Sequence, residues 1–238
     1  MTQIKVELQE FMGSDKSIAE SAWTSSLTYQ GKQKRTASDV AKVIKMLADS
    51  RHSTPFESVV LRFWIKMPIQ TDRQHMTHRI GSHNGMSGRY RTMPNEWLDV
   101  PEDIISMNIP DVKMTSPLGD IEDLHECIAN YTRLCNITND WYSHLIKELK
   151  LLEKDDKITN AQFKRLREFY RGVLPQNNMT ERTTIFNLRS FANYQKLRNS
   201  PHAQPEIQEV ARQMLEAVKN AGICPIALEA LEKNNWDI

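Results

Sequence analysis

The stretch VVLRFWIKMPI (Val59–Ile69), with its continuation QTDRQHMTHRIGSHNGMSGRYR (Gln70–Arg91), decides how this chain is read. The first part is β-branched and aromatic and ends at Pro68, the composition of a strand, placed over Val59–Met67. The second part starts as a short helix over Gln70–Arg79. It opens into Thr77–Arg91, where fifteen residues hold three arginines, two histidines, two serines and three glycines. A chain that puts so many cations and small residues just past a buried strand is building an anion-binding loop or a solvated turn. Composition alone leaves both open.

The flanking segments set the fold class. Near the N-terminus, QIKVELQ alternates Ile4, Val6 and Leu8 with polar neighbours, a short strand pattern. In SDVAKVIKMLADS, Val40, Val43, Ile44 and Leu47 share one helical face, with Ser38 or Asp39 as the cap. From Asp120 to Leu149, residues such as Ile121, Leu124, Ile128, Tyr142 and Leu145 recur by threes and fours. A helix of ~30 residues exceeds the mean of ~11–12, so it needs other helices or a neighbouring subunit along its length. NAQFKRLREFYRGVLP is a further helix, stopping near Gly172 and Pro175. TERTTIF reads as a strand and Asn187–Asn199 as a helix. The last helix, PEIQEVARQMLEAVKNAG, has Pro205 in its first turn, a stripe from Ile207 to Val218, and Gly222 at its end. With no repeat or low-complexity linker, the expectation is one helix-rich α+β domain, residues 1–238, with a small antiparallel or mixed sheet.

A net charge of +1 gives the surface no general pull on nucleic acid or membrane, so basic character must be local. No window approaches the ~18 apolar residues of a membrane span. Cys127, Cys135 and Cys224 form an odd set without C-x-x-C spacing, which argues against a disulfide framework or zinc site and for a cytoplasmic location. None has a basic neighbour placed to activate it, so all three read as structural.

Four chemistries compete for the loop. His75 and His78 are three apart on a helix but lack a third metal ligand, so no metal is expected. Gly85-Met86-Ser87-Gly88-Arg89 misplaces the second glycine of a serine-hydrolase elbow. No dinucleotide fingerprint follows the strand. Phosphate recognition fits better: Arg79, Arg89 and Arg91 offer forked donors, Ser82 and Ser87 add hydroxyls, and the glycines allow close approach or positive φ. A second group, Arg171, Arg189 and Arg198 with Asn187, Asn193 and His202, makes a shared anionic ligand more credible. A nucleic-acid module is disfavoured by the near-zero charge and the lack of aromatics interleaved with a basic stripe.

These segments together resemble the flavin-dependent thymidylate synthases. The family signature is R-H-R, seven residues, then Ser; here Thr77-His78-Arg79 is followed after seven residues by Ser87. RHSTPFES (Arg51–Ser58) is similar to the family's H-x-T/S-P-F-E-H segment, and RQ (Arg73–Gln74) matches the pair ahead of the signature. NLRSFANYQKLRNSPHAQPEIQ resembles its C-terminal N-x-R-S … L-R … A-Q-x-E-I segment. The match spans about residues 50 to 210 in consistent order.

The resemblance implies a homotetramer with FAD at subunit interfaces, and methylation of dUMP at C5 with methylenetetrahydrofolate as carbon donor and NADPH as reductant. It implies no nucleic-acid or membrane partner. Carried over by position, Arg73, Gln74, Thr77, Gly85, Met86, Ser87, Gly88, Arg89, Arg171 and Arg198 would hold dUMP. Arg198 would be the catalytic group, stabilising negative charge at the uracil N3–carbonyl edge. Thr54, Thr77, His78, Arg79, Gly85, Asn187, Arg189 and Asn193 would contact FAD, flanked by His52 and His202. Two positions depart from the pattern: Thr77 stands for the first arginine, and Gly85 for a usual glutamate. The missing carboxylate raises an alternative, an enzyme of the same fold making another C5-modified pyrimidine nucleotide such as a hydroxymethylated one.

Overall fold

The computed structural model describes residues 3–107, 114–117 and 119–237. Strand β1 (Lys5–Met12) leads into helices α1 (Asp15–Trp23), α2 (Tyr29–Gln33) and α3 (Ala37–Asp49). A 3-10 turn (Thr54–Ser58), β2 (Val60–Pro68), α4 (Ile69–His75) and β3 (Ser82–Gly85) follow. Then come α5 (Glu102–Ile105), the small pair β4 (Met114–Ser116) and β5 (Gly119–Ile121), and the long α6 (Leu124–Lys154). Helix α7 (Asn160–Tyr170), a 3-10 turn (Arg171–Val173), β6 (Met179–Asn187), α8 (Leu188–Arg198), α9 (Pro205–Asn220) and α10 (Pro225–Lys233) complete the order. The fold is the helix-rich α+β class, with a four-stranded sheet in the order β1-β2-β6-β3.

Contacts divide the chain into two compact units. One comprises residues 4–67, 71–85 and 181–238; the other comprises residues 1–3, 68–70 and 86–180. In the first, β2 turns Leu61, Phe63, Ile65 and Met67 to one face, all fully buried. Each such burial is worth about 1.5–3 kcal/mol. Helix α9 buries Ile207, Val210, Ala211, Met214 and Val218, and its Gln213 ties to β1 by accepting from Val6 N–H at 3.0 Å. Strand β6 differs: its inward face carries Arg182 and Thr184 beside Phe186. Buried polar groups need partners, and that requirement organises the site described below.

In the second unit, α6 and α7 enclose a core of Met93, Tyr142, Ile146, Leu149 and Phe163. Asn139 and Asn178, both buried, exchange amide hydrogen bonds of 3.0 and 2.8 Å.

The structure corrects several sequence expectations. The helix expected over Gln70–Arg79 ends at His75, because Thr77 and His78 N–H groups reach back three residues, to Gln74 and His75 carbonyls. The loop then contains β3, an edge strand antiparallel to β6 with Gly85 opposite Arg182. Helix α3 is capped by Thr36, with Asp39 as the third residue of a capping box, rather than by Ser38 or Asp39. The long helix begins at Leu124 behind Asp123 instead of at Asp120, which lies in β5. Of the loop glycines, none adopts positive φ; Gly222 does, at +65°, where the end of α9 was expected. Gly85 and Gly88 serve close approach instead. Among the described residues, no helix is long and apolar enough to cross a membrane.

Candidate active site

Within the unit containing the sheet, a cavity of about 690 Å³ opens where the segment after α4, helix α8 and the C-terminal segment meet. It gathers Thr77, His78, Arg79, Asn187, Arg189, Asn193 and Arg198 from the expected site residues. Sequence reasoning missed the other residues on its wall, among them the polar or aromatic groups of Glu57, Ser190, Lys196, Trp236 and Asp237. Glu57 lies in the quoted PFES segment and follows the expected Thr54 by three positions, which is a signal that was present. Trp236 and Asp237 lie far from any motif and reach the wall only through the fold. Trp236 packs edge-on to Phe191, and Asp237 pairs with Arg51 at 2.8 Å and Lys196 at 3.0 Å.

Arg198 is the cation at the centre of this arrangement. Its Nε–H donates to His78 Nε2 at 2.8 Å, and an Nη donates to Thr77 Oγ1 at 3.1 Å. Thr77 in turn donates its hydroxyl to the Gln74 carbonyl at 2.7 Å. Burial, and then the Arg198 charge, push the His78 imidazole down from 6.5 to about 4. At neutral pH His78 is therefore uncharged and presents Nε2 as an acceptor, with its proton on Nδ1. Among the described residues Arg198 forms no ion pair; its partners are neutral and leave its charge available. Arg189, by contrast, already holds Glu57 at 2.6 Å.

Behind His78 lies a chain of hydrogen bonds whose direction can be deduced. The His78 carbonyl can only accept, so His83 donates to it from Nε2 at 3.1 Å. In a neutral imidazole the other nitrogen, Nδ1, then accepts from the Thr184 hydroxyl at 3.2 Å. With its proton committed, Thr184 accepts from His75 Nε2–H at 2.9 Å, and His75 Nδ1 accepts from Tyr194 O–H, also at 2.9 Å. Burial pushes the His75 imidazole well below its ordinary value and the Tyr194 phenol well above its own, consistent with both being neutral. These bonds tie the His78 carbonyl through His83 and Thr184 to His75 and Tyr194.

Asn187 caps α8, its side-chain oxygen accepting from Ser190 N–H at 2.8 Å. The Ser190 hydroxyl is buried on the cavity wall without a partner, an orphaned polar atom suited to a polar ligand. Thr54 begins the 3-10 turn before β2; His52 and His202 are exposed and, like Arg73 and Gln74, do not line the cavity. Gln74 donates to Gln204 Oε1.

Gly85 ends β3 in the unit with the sheet, and Met86, Ser87, Gly88, Arg89 and Arg171 lie in the other unit. A side chain at Gly88 would meet Arg171 Nη1 at 2.7 Å, so the guanidinium lies directly against the Gly88 backbone. Ser87 Oγ accepts from Arg89 N–H at 3.3 Å, Arg89 pairs with Glu168 at 2.6 Å, and Arg167 donates to the Arg89 carbonyl. Met86 packs against the apolar cluster around Met93. This is a tight turn lined by guanidinium groups, suited to a phosphate.

No cysteine lines the cavity. Cys135 is buried on α6 beside Asn177, with the Asn177 amide 3.4 Å from its sulfur, and burial pushes the Cys224 thiol up to about 12. With Arg79 and Arg198 outside any ion pair among the described residues, amide and hydroxyl groups beside them and no cysteine on its wall, the cavity suits an anionic, polar ligand.

Comparison with known proteins gives the chain its family. The model for the thymidylate synthase complementing protein family matches residues 7–226. A flavin-dependent thymidylate synthase of Kosmotoga olearia is 33% identical over 233 residues, covering 94% of this chain and 88% of the relative. One from Rickettsia bellii is 31% identical over 241 residues, covering 96% and 75%. Among solved structures, the UMP/dUMP methylase PolB of Streptomyces cacaoi bound with 5-Br dUMP superposes with a TM-score of 0.76 at 25% identity, covering 99% of this chain and 97% of that one. The chain belongs to the thymidylate synthase complementing protein family, the flavin-dependent thymidylate synthases.

Proposed function

We propose that the chain methylates dUMP at C5, forming dTMP with methylenetetrahydrofolate as carbon donor and NADPH as reductant. FAD fits the cavity, whose wall offers Arg79, Arg189, Asn193 and the unpartnered Ser190 hydroxyl to a polar, anionic group. When bound, FAD supplies the redox chemistry and the one-carbon relay. The chain's own residues bind, orient and polarise.

Arg198 carries the reading. Held by neutral His78 and Thr77, its guanidinium keeps a full charge for the uracil N3–carbonyl edge, where negative charge develops as C5 becomes nucleophilic. A paired arginine would offer less. The turn at Ser87, Gly88 and Arg89 with Arg171 suits the nucleotide phosphate, and Arg73, Gln74, Thr77, Gly85 and Met86 belong to the same nucleotide-binding assignment. His52, Thr54 and His202 are assigned to the flavin with His78 and Asn187.

The homotetramer and the cytoplasmic location belong to this proposal. So does a single functional domain, supported by a family match that runs through both units. The relatives' names and the methylase neighbour favour a methyl product over a hydroxymethyl one. Because that neighbour is a UMP/dUMP methylase, both sugars should be offered.

The test is an absorbance titration of the purified protein with FAD, followed by dUMP and NADPH. The proposal expects a bound flavin spectrum that bleaches on NADPH addition and shifts with dUMP. A protein that binds no flavin contradicts it.

A further inference from the structure

Gly85 lies against a guanidinium. A Cβ built at this position would meet Arg182 Nη2 at 2.9 Å, Cζ at 3.1 Å and Nη1 at 3.3 Å, so the space where a side chain would stand is filled. Arg182 reaches it from the directly opposed position on β6. The guanidinium is held there by a buried carboxylate on α4: Nε and Nη2 of Arg182 donate to the two oxygens of Asp72, the second at 2.7 Å. Nη2 also lies 3.0 Å from the Met76 sulfur, one turn further along the chain. Asp72 and Arg182 side chains are 10% and 9% exposed, so each is the other's main compensation.

This one guanidinium therefore joins three segments: α4, which carries Gln74 and leads into Thr77-His78-Arg79; β6; and the end of β3, from which the chain enters Met86–Arg89. We propose that Asp72, through Arg182, is a positioning residue for the nucleotide site, and that it supplies from α4 the carboxylate that position 85 lacks. Glycine at 85 follows from this placement. A side chain at 85 would meet the Arg182 guanidinium while Asp72 holds it, and a carboxylate there would compete with Asp72 for the same cation. Without Asp72, the guanidinium is free to turn toward a carboxylate at 85, and the swap re-forms the pair from the other side. The proposal rests on the reading of Gln74 and Met86–Arg89 as nucleotide contacts.

The experiment is a double-mutant cycle on the full chain: Asp72→Ala, Gly85→Glu and the double variant. KM for dUMP, flavin Kd and Tm are measured for each. Asp72→Ala is expected to raise KM for dUMP about tenfold while flavin Kd changes less than about twofold, and Gly85→Glu to cost at least as much. The double variant is expected to return to within about threefold of the parent in KM, with Tm above either single variant. Multiplicative losses in the double variant, or an Asp72→Ala enzyme with parental KM, overturn the proposal. If Gly85→Glu does not fold, Gly85→Ala replaces it in the cycle, and its penalty must shrink in the Asp72→Ala background. Tm coupling needs no activity. A parent that binds no flavin or dUMP removes the functional reading, and the carboxylate swap is still decided by Tm.

Discussion

Two arginines sixteen residues apart in sequence, Arg182 and Arg198, show how one protein uses the same cation in opposite ways. Arg182 points into the interior from β6, and a buried Asp72 carboxylate answers it. Arg198 ends α8 at the cavity and is held by a neutral imidazole and a hydroxyl. The first has given up its charge to a partner and acts as a fastener. The second forms no ion pair among the described residues, and its geometry is fixed by groups that do not neutralise it. Positioning a cation without pairing it requires a histidine that stays neutral, which is what burial and Arg198 together impose on His78.

The comparison can be broken at either arginine. Arg198→Ala should lower the methyl-transfer rate about 10²–10³-fold with flavin still bound, as for loss of a preorganised donor to developing charge. Single-turnover product formation beside a flavin titration measures it, and an unchanged rate removes the assigned role. On the fastener side, Asp72→Ala strands a buried guanidinium and should cost about 3–5 kcal/mol of stability. Urea denaturation would show it as a lower midpoint, and a loss under about 1 kcal/mol would mean the pair is solvated.

Smaller effects sharpen the contrast. Thr184→Val keeps the shape of a buried side chain but leaves one ring nitrogen of His75 and one of His83 without its partner, so about 1–3 kcal/mol should be lost. The pH profile tests His78. Its folded-state pKa is depressed from 6.5 to about 4, so the unfolded chain binds the proton more readily in between. Stability is then complete above about 6.5 and falls as pH drops toward 4, with about 1–2 kcal/mol gone by pH 5. Thermal melts from pH 7 to 5 would reveal it; a flat profile would mean His78 is charged or exposed. Smallest of all is Glu57→Ala. It breaks a half-exposed pair with Arg189 and should shift stability by less than about 1 kcal/mol.

How much of this could be read beforehand follows from how local each feature is. Helices α6, α8 and α9, strands β2 and β6, and the clustering of Thr77, His78, Arg79, Asn187, Arg189, Asn193 and Arg198 were legible, because periodicity and contiguous motifs carry them. Strand β3 was not: SHNG has no β-branched alternation, and only pairing with β6 makes it a strand. TERTTIF was legible as a strand, but nothing in it announced that Arg182 and Thr184 point inward. Their partners, Asp72 and His75, lie 110 and 109 positions away. Gly85 looked like a missing carboxylate when only its own segment was considered. The carboxylate beside Arg182 comes from α4, and such a substitution at a distance leaves no mark in the local pattern. The wall formed by Trp236 and Asp237 was illegible for the same reason.

The most direct test of the account is the mass of the nucleotide formed when the purified protein is given FAD, NADPH, methylenetetrahydrofolate and dUMP. The account predicts dTMP, formed by the parent and lost in the Arg198→Ala variant while flavin stays bound. Recovery of unmodified dUMP from the flavin-loaded parent, a hydroxymethyl product, or dTMP formed equally well by Arg198→Ala would contradict it.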